Sequence, residues 1–536
     1  MSSEVLLGDE AVALGAVHAG LSAAYSYPGT PASEIMEFLV RRAQQTGAFR
    51  AAWCINEKVA YEEALGVSFA GRRALVSMKH VGLNAAADPF MNSALTGIKG
   101  GLVVVVADDP GMHSSQNEQD SRFYADFARI PCFEPADHQE AYALTREAFD
   151  VSERWNLPVM IRLVTRLSHS RSRVQPDEPR PQNQGGAGES RDWILLPVNA
   201  RRRFQRLVDL QPELTEYSEE TVFNPLTLPE SHSRSLGIIA SGIAYNYVRE
   251  NFADGKTVPP LLKLAVYPLP EARIARLVEQ VDTVLVVEEG YPLIESRLRG
   301  LFGVAGKTIR GKLDGSLPPT GELEPHLVRK ALGLEPLPGE STGDLRLAGR
   351  PPQLCQGCPH ADTFNALNRA LEDHAGAAVF SDIGCYTLGA LPPYGAVDTS
   401  VCMGASVSMA KGGSDAGIHP SVGLLGDSTF AHSGITPLVD AAASDTDMTL
   451  VIVDNASVAM TGGQPTFLSG DKLLNMIRGA GVDERHIRVI TPLARNLEAN
   501  VQVIEEEIAH RGLSVIVSVR ECIQETRKRS RKKGAQ

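Results

Sequence analysis

The chain is 536 residues long, 43% hydrophobic and 22% charged, with a formal net charge of −12. That length exceeds what one hydrophobic core can organise and predicts about three to four domains, while the acidic balance argues against broad nucleic-acid binding, which leaves a basic footprint. No apolar run approaches the roughly 18 residues that span a bilayer, and the N-terminus lacks a basic stretch followed by an apolar core, so a cytoplasmic protein without membrane contact is expected.

Residues 1–170 read as a doubly wound domain. A helix is predicted over Asp9 to Ala19 and a short strand over Ala23 to Ser26, followed by the tight turn Tyr27-Pro28-Gly29-Thr30-Pro31 and a helix from about Ala32. Next come a strand to Ile55, a helix from Glu57, a strand over Ala74 to Met78, a helix through Ala85 to Leu95 and a strand over Leu102 to Ala107. Strands alternating with helices of this length predict a mostly parallel sheet. Polar residues collect just past the strand ends: Thr30, Asn56-Glu57, Lys79-His80 and Asp108-Asp109.

Residues 171–235 begin with Ser-Arg-Ser-Arg and a Pro-, Gln- and Gly-rich stretch, read as an exposed linker, and continue over Trp193 to Phe223 as helical structure laid against a domain. A small α/β domain follows over 236–348, with strands at Gly237 to Gly242, Leu261 to Val266 and Val284 to Val287. It shows no obvious chemistry and is expected to be structural. Pro351-Pro352 opens the last α/β block, 350–525. Beyond it, Arg527, Lys528, Arg529, Arg531, Lys532 and Lys533 make 526–536 a basic tail, expected as solvated disordered chain, with docking on an acidic partner as the alternative.

Within the last block, Val422 to Leu425 is an apolar strand broken by Gly426-Asp427-Ser428; Ser433 to Ala443 reads as the crossover helix to a second strand, Leu450 to Val453, before Asn455. A right-handed crossover sets Asp427 and Asn455 side by side at one edge of a parallel sheet, where ligands of such sheets bind. A carboxylate and an amide oxygen beside a glycine suit Mg²⁺, which takes few protein ligands and leaves positions for water and phosphate oxygens, and so point to a diphosphate. An ordinary turn and helix cap is the competing reading.

Seven cysteines without a signal peptide disfavour a disulfide framework. Cys355 and Cys358 form a Cys-x-x-Cys, Cys385 follows a predicted strand and Cys522 follows the terminal strand, so all four can meet at one sheet edge; an iron-sulfur cluster, a structural zinc and metal-free packing all remain open. Cys54, Cys132 and Cys402 read as buried small hydrophobes.

Several longer motifs stand in order: Tyr27 to Pro31, Asn56-Glu57-Lys58, Met78 to Asn84, Asp108 to Asp120, Cys355-Gln356-Gly357-Cys358-Pro359-His360, Asp382-Ile383-Gly384-Cys385 and Met403-Gly404-Ala405-Ser406. With Gly426-Asp427-Ser428 and Asn455, they resemble the thiamine diphosphate (ThDP)-binding subunit of indolepyruvate:ferredoxin oxidoreductases, of the 2-oxoacid:ferredoxin oxidoreductase superfamily. The resemblance covers nearly the whole chain and implies a ThDP-binding fold, with a pyrimidine-binding domain first and a diphosphate-binding domain last. It implies that Glu57 hydrogen-bonds the aminopyrimidine ring, although Asn56-Glu57 also suits a helix cap with a first-turn acid. Cofactor contacts are implied for Met403, Gly404, Gly426 and Ser428, and Mg²⁺ ligation for Asp427, Asn455 and the Ser457 carbonyl. Thr30 is the first candidate for the substrate carboxylate, and His80, His113 and Arg122 follow. Cys355, Cys358, Cys385 and Cys522 are implied as ligands of a [4Fe-4S] cluster.

The implied reaction is oxidative decarboxylation of an aryl 2-oxoacid such as indolepyruvate to its coenzyme A thioester, in a complex with a smaller subunit and, by analogy, as a dimer of this chain. Full-length relatives usually end in a ferredoxin-like segment with two Cys-rich runs, whereas this sequence ends in the basic tail, which leaves the electron acceptor unknown. A non-oxidative ThDP decarboxylase is the alternative of the same cofactor class, and a non-catalytic scaffold subunit the alternative of another class.

Overall fold

The computed structural model describes residues 3–186, 193–230, 233–252, 258–338, 349 and 352–534, and the chain forms two compact units, residues 1–341 and 342–536. Each is α/β. No helix among the described residues is long and apolar enough to cross a membrane.

The first unit is built on a seven-stranded sheet whose spatial order is Val266–Tyr267, Cys132–Phe133, Val159–Val164, Leu102–Asp108, Ala74–Lys79, Ala23–Ser26 and Arg50–Trp53. Every pairing is parallel except that of Val266–Tyr267 with Cys132–Phe133. The centre of this sheet is Leu102–Asp108, an unbroken apolar run ending in an acid and buried at every position, as a strand covered by helices on both faces requires. A second sheet has five strands in the order Thr308–Arg310, Thr283–Val287, Gly237–Ser241, Leu261–Leu264 and Leu226–Thr227.

The apolar run expected as one strand over Leu261 to Val266 is therefore two, belonging to different sheets. The buried carboxamide of Asn224 spans the break: its Oδ1 accepts from the Ala265 and Val266 amides (2.8 and 3.0 Å), and its Nδ2 donates to the Val266 carbonyl (2.9 Å). Those bonds replace ladder bonds lost where the chain leaves one sheet for the other.

One expectation about the connecting segments is corrected. Arg171–Val174, read as the start of a linker, is a strand paired antiparallel with Glu4–Leu7; its alternating Ser and Arg side chains face solvent while the backbone is used up in the ladder. The stretch after it runs along the first domain, with the Arg180 amide donating to the His18 carbonyl (2.8 Å) and that of Gly186 to Ala70 (3.0 Å). The helices Pro197–Asp209 and Gln211–Glu220 lie where helical structure was expected, preceded by Trp193 stacked on Phe69 at 4.2 Å.

The second unit has a five-stranded, wholly parallel sheet in the order Ala378–Ser381, Ser421–Gly426, Met448–Asp454, Leu513–Val519 and Ile487–Ile490. Gly426 pairs in register with Val453, so the residues following both strands emerge at the same edge. Gly426-Asp427-Ser428 does not form a turn ahead of a later helix: helical structure starts at Asp427, passes through a wide π-type turn at Phe430–Gly434 and continues as Ile435–Ala443. A Ser-Thr-Phe-Ala sequence has enough helix tolerance to start at once, and single π turns are frequent at functional sites. The basic tail is also not extended chain. Ile523–Gly534 is helical, and Lys528 donates to the Gly462 carbonyl at 2.8 Å and pairs with Glu525 one turn back.

Candidate active site

In the first unit the polar residues stand at the C-terminal edge of the parallel sheet. Asn56 caps the helix Glu57–Phe69, its side chain accepting from the Val59 amide at 2.8 Å, so that Glu57 is the first helical residue and is only 5% exposed. The carboxylate lies against the backbone of Gly82. A Cβ added at Gly82 would stand 2.5 Å from Glu57 Oε1 and 2.7 Å from its Cγ, so a glycine is what gives this acid its position.

Thr30 lies half-buried in the turn between Ala23–Ser26 and Ser33–Thr46. Lys79 closes the adjacent strand behind this turn, with its Cβ 3.0 Å from where a Gly29 side chain would start, and its ammonium donates to the Ser114 carbonyl (2.7 Å). Burial draws the Lys79 ammonium down to about 8, against the opposing pull of Asp109. His80 is fully buried; its Nε2 lies 3.3 Å from both the backbone and side-chain oxygens of Asn117, while Nδ1 is buried without a partner. Burial holds this imidazole below its ordinary pKa, with Asp108 opposing.

The loop carrying Asn117 is anchored at both ends. Asp109 accepts from the Ser114 amide and the Ser115 and Thr165 hydroxyls (2.8, 2.6 and 2.6 Å). At the other end, Asp120 pairs with Arg122 (2.5 Å) and accepts from the Tyr291 amide (3.0 Å).

Two expected substrate donors are not available in this arrangement. Arg122 is 1% exposed, paired with Asp120 and Glu288 (3.0 Å to the latter) and donating to the Glu289 and Tyr291 carbonyls. A guanidinium so enclosed by carboxylates serves the interior. His113 points outward: its side chain is 53% exposed and its Nε2 lies 3.4 Å from Glu322. Arg162 completes the buried cluster, 2.6 Å from Asp108 and also paired with Glu134. Burial nevertheless raises the Asp108 carboxyl, with Arg162 opposing. A separate cavity of about 570 Å³ in this unit, lined by Ile130, Leu269, Ile274 and Val278, contains neither Glu57, Thr30 nor His80.

In the second unit Asp427 is 2% exposed and begins its helix. One carboxylate oxygen accepts from the Ser428 amide (2.7 Å), and Oδ2 is buried with no hydrogen-bond partner. Burial first, and the neighbouring Asp454 carboxylate second, raise its pKa well above the ordinary range. Asp454 itself is held by the Gly470 amide (2.7 Å), the Ser469 hydroxyl (2.8 Å) and the Ala456 amide (3.1 Å). Asn455 Oδ1 accepts from the Ser457 amide (3.0 Å), the Ser457 hydroxyl is buried and unpartnered, and Ala456 between them has a left-handed φ of 58°. Buried oxygens lacking donors, next to a strained backbone position, fit a hard cation with oxygen ligands.

Gly404 has φ 85°, and a Cβ there would lie 2.6 Å from Ser433 Cβ, so the loop of Met403 and Gly404 approaches the helical segment after Asp427 as closely as only a glycine permits. Asp382 ties that loop down: it accepts from the Gly404 amide (3.0 Å), the Ser406 hydroxyl (2.6 Å) and the Tyr386 hydroxyl. Burial pushes its carboxyl up to about 6 in spite of these donors.

The four expected cluster cysteines influence one another electrostatically. Burial pushes the Cys385 thiol up to about 12, followed by the effects of Cys358, Cys522, Cys355 and Asp427, all of which stand in its electrostatic surroundings. Among the described residues no three His, Cys, Asp or Glu side chains stand close enough to hold a single metal ion. Cys54 and Cys132 are buried as expected; Cys402 is exposed, because it precedes the Met403-Gly404 loop rather than lying in a strand or helix.

Lys79, Asp382 and His360 were read from the sequence only as members of a strand-end cluster or a motif, with no role of their own, and Asp454 was not named. Each is a polar residue in or beside a motif and next to an apolar strand or helix start, which was the available signal.

Comparison with known proteins agrees with this arrangement. Residues 14–188 match the family described as pyruvate flavodoxin/ferredoxin oxidoreductase, thiamine diphosphate-binding, and residues 382–517 match the C-terminal thiamine pyrophosphate-binding domain of thiamine pyrophosphate enzymes. The indolepyruvate oxidoreductase subunit IorA of Archaeoglobus fulgidus is 38% identical over 96% of this chain and 86% of its own length. The IorA of Pyrococcus abyssi is 35% identical over 97% and 85%. A solved 2-oxoglutarate:ferredoxin oxidoreductase from Magnetococcus marinus shares the fold, with a TM-score of 0.50 at 16% identity over 62% of this chain and 65% of that one. With identity this high along almost its full length, and with a thiamine diphosphate-binding family matched at each end, the chain belongs to the IorA family of indolepyruvate oxidoreductase subunits, within the 2-oxoacid:ferredoxin oxidoreductases.

Proposed function

We propose that this subunit carries out ThDP-dependent oxidative decarboxylation of an aryl 2-oxoacid of the indolepyruvate type, delivering the acyl group to coenzyme A. The observation that carries this reading is Asp427: a buried carboxylate with an unsatisfied oxygen, at the parallel-sheet edge where family members bind diphosphate. Asp427, the Asn455 side chain and the Ser457 carbonyl would hold Mg²⁺. Bound ThDP would supply the electron sink that lets CO₂ leave. Glu57 would hold the aminopyrimidine by one hydrogen bond and keep a proton at its ring nitrogen. Thr30 and the buried pair Lys79 and His80 would receive the substrate carboxylate, a role for which Arg122 and His113 are badly placed.

A smaller subunit, a dimer of this chain and an external electron acceptor complete the proposal. Product analysis with arylpyruvate, coenzyme A and a one-electron dye tests it. One acyl thioester for every two molecules of dye reduced is expected; free aldehyde with the dye unreduced makes the protein a non-oxidative decarboxylase instead.

We further propose that Cys355, Cys358, Cys385 and Cys522 hold a [4Fe-4S] cluster. The electrostatic influence of Cys355, Cys358, Cys522 and Asp427 on the Cys385 thiol supports it, as does the preference of thiolates for iron-sulfur clusters. Anaerobically purified protein is expected to show a broad visible absorption that bleaches on reduction, with iron and sulfide in equal amounts. Zinc without sulfide, or colourless protein after iron-sulfur reconstitution, refutes the cluster.

A further inference from the structure

His360 ends the Cys355 to His360 motif; its backbone hydrogen-bonds the Cys358 thiol, but its ring has other partners. It is the second residue of the helix Pro359–Leu371, 2% exposed, with its ring edge-on to Tyr386 (6.3 Å between centroids). Its Nε2 stands 3.3 Å from Asn455 Nδ2. The orientation of the Asn455 amide is settled from its other end, where Oδ1 accepts from the Ser457 N–H. Nδ2 is therefore the donor, and His360 Nε2 the acceptor. The backbone of Asn455 is held as well: its carbonyl accepts from the Cys522 amide at 3.1 Å.

We infer that His360 is a positioning residue for the diphosphate site, its imidazole nitrogen accepting the Asn455 amide N–H so that Asn455 turns its oxygen toward the metal. Asn and its carboxamide can rotate by half a turn at little intrinsic cost. Only the partners decide which end faces a cation, and an NH₂ group turned to Mg²⁺ contributes no ligand. An acceptor behind the amide removes that wrong orientation before the cofactor arrives, in the way outer-shell groups fix metal ligands. Tyr386 takes part in the same packing: a Cβ on Gly426 would stand 2.8 Å from its ring, so the aromatic ring fills the space between His360 and the start of the Asp427 helix.

The inference rests on the metal-site assignment above, and the test separates the two. Mg²⁺-dependent ThDP binding is measured by calorimetry on the full-length protein and on His360→Phe, His360→Gln and Asp427→Asn, with thermal melts of the cofactor-free forms. Phenylalanine keeps the ring and the Tyr386 contact but offers no acceptor, and ThDP affinity in Mg²⁺ is expected to fall about 10–100-fold. Glutamine restores an acceptor oxygen and is expected to recover most of that loss. If His360→Phe does not fold, His360→Leu takes its place in the comparison. Native-like affinity in the acceptor-free variant, or a His360→Gln as weak as it, overturns the positioning role while Asp427→Asn still loses binding. Undiminished binding in Asp427→Asn overturns the metal-site assignment itself.

Discussion

Asp427→Asn is expected to make the cofactor-free protein more stable and the cofactor-bound protein unobtainable. Burial and the Asp454 carboxylate raise the folded-state pKa of Asp427, so the stability it contributes is fully present below its unfolded pKa, about 3.9, and is lost as pH rises through the folded value. In metal-free protein at neutral pH the side chain therefore works against folding, and the isosteric amide removes that cost. The melting temperature of the apo variant should exceed that of the native apo protein at pH 7, and the gap should close as pH approaches 4. Addition of Mg²⁺ and ThDP reverses the order. The native protein gains about 2.7 kcal/mol at a ligand concentration one hundred times its Kd, whereas the variant, having lost a direct ligand, should lose at least the roughly 10–100-fold in affinity that outer-shell changes alone cost. Thermal melts with and without cofactor across this pH range measure both effects. An apo variant less stable than native at pH 7 would contradict the electrostatic account.

Glu57→Gln is expected to bind ThDP and scarcely turn over. Loss of one general acid-base group removes about 10²–10⁴-fold in rate. The fold should change little, since the lost first-turn charge is worth about 0.3–1 kcal/mol and Asn56 still caps the helix. Exchange of the thiazolium proton with solvent deuterium, followed by quenched NMR, measures the step directly. Gly82→Ala offers an independent route to the same outcome: its methyl group would stand 2.5–2.8 Å from Glu57 Oε1, Cγ and Cδ, so the acid must move from its position. Full turnover in both variants would leave Glu57 as a helix-start acid and nothing more.

The strands of both parallel sheets were legible because their residues are buried on both faces and so form unbroken apolar runs; Leu102–Asp108 and Met448–Asp454 are the clearest. Asp427 and Asn455 were legible for a related reason, since a crossover unit fixes which strand ends become neighbours. Features set by long-range contact were not. Nothing local distinguishes Arg122, enclosed by Glu288 and Asp120, from an arginine waiting for substrate. The break at Ala265 depends on Asn224, far back in sequence, and the break carries no glycine or proline. His360 was read as part of a cysteine motif, and only the tertiary structure shows its ring turned to Asn455.

The two-residue strand Val266–Tyr267, supplied by a chain that has just left the second sheet, also sets where chimeras between family members can be joined. A crossover at 235/236 would replace this edge strand with a foreign one and pair a foreign Tyr267 with the native Glu134, to which it donates at 2.7 Å. Exchange of the whole of 1–341 keeps the seven-stranded sheet with its own edge strand and Tyr267 with its own Glu134. Homologous recombination of these enzymes should accordingly tolerate breakpoints near 341/342 and select against those in the 171–235 stretch that the composition makes look permissive.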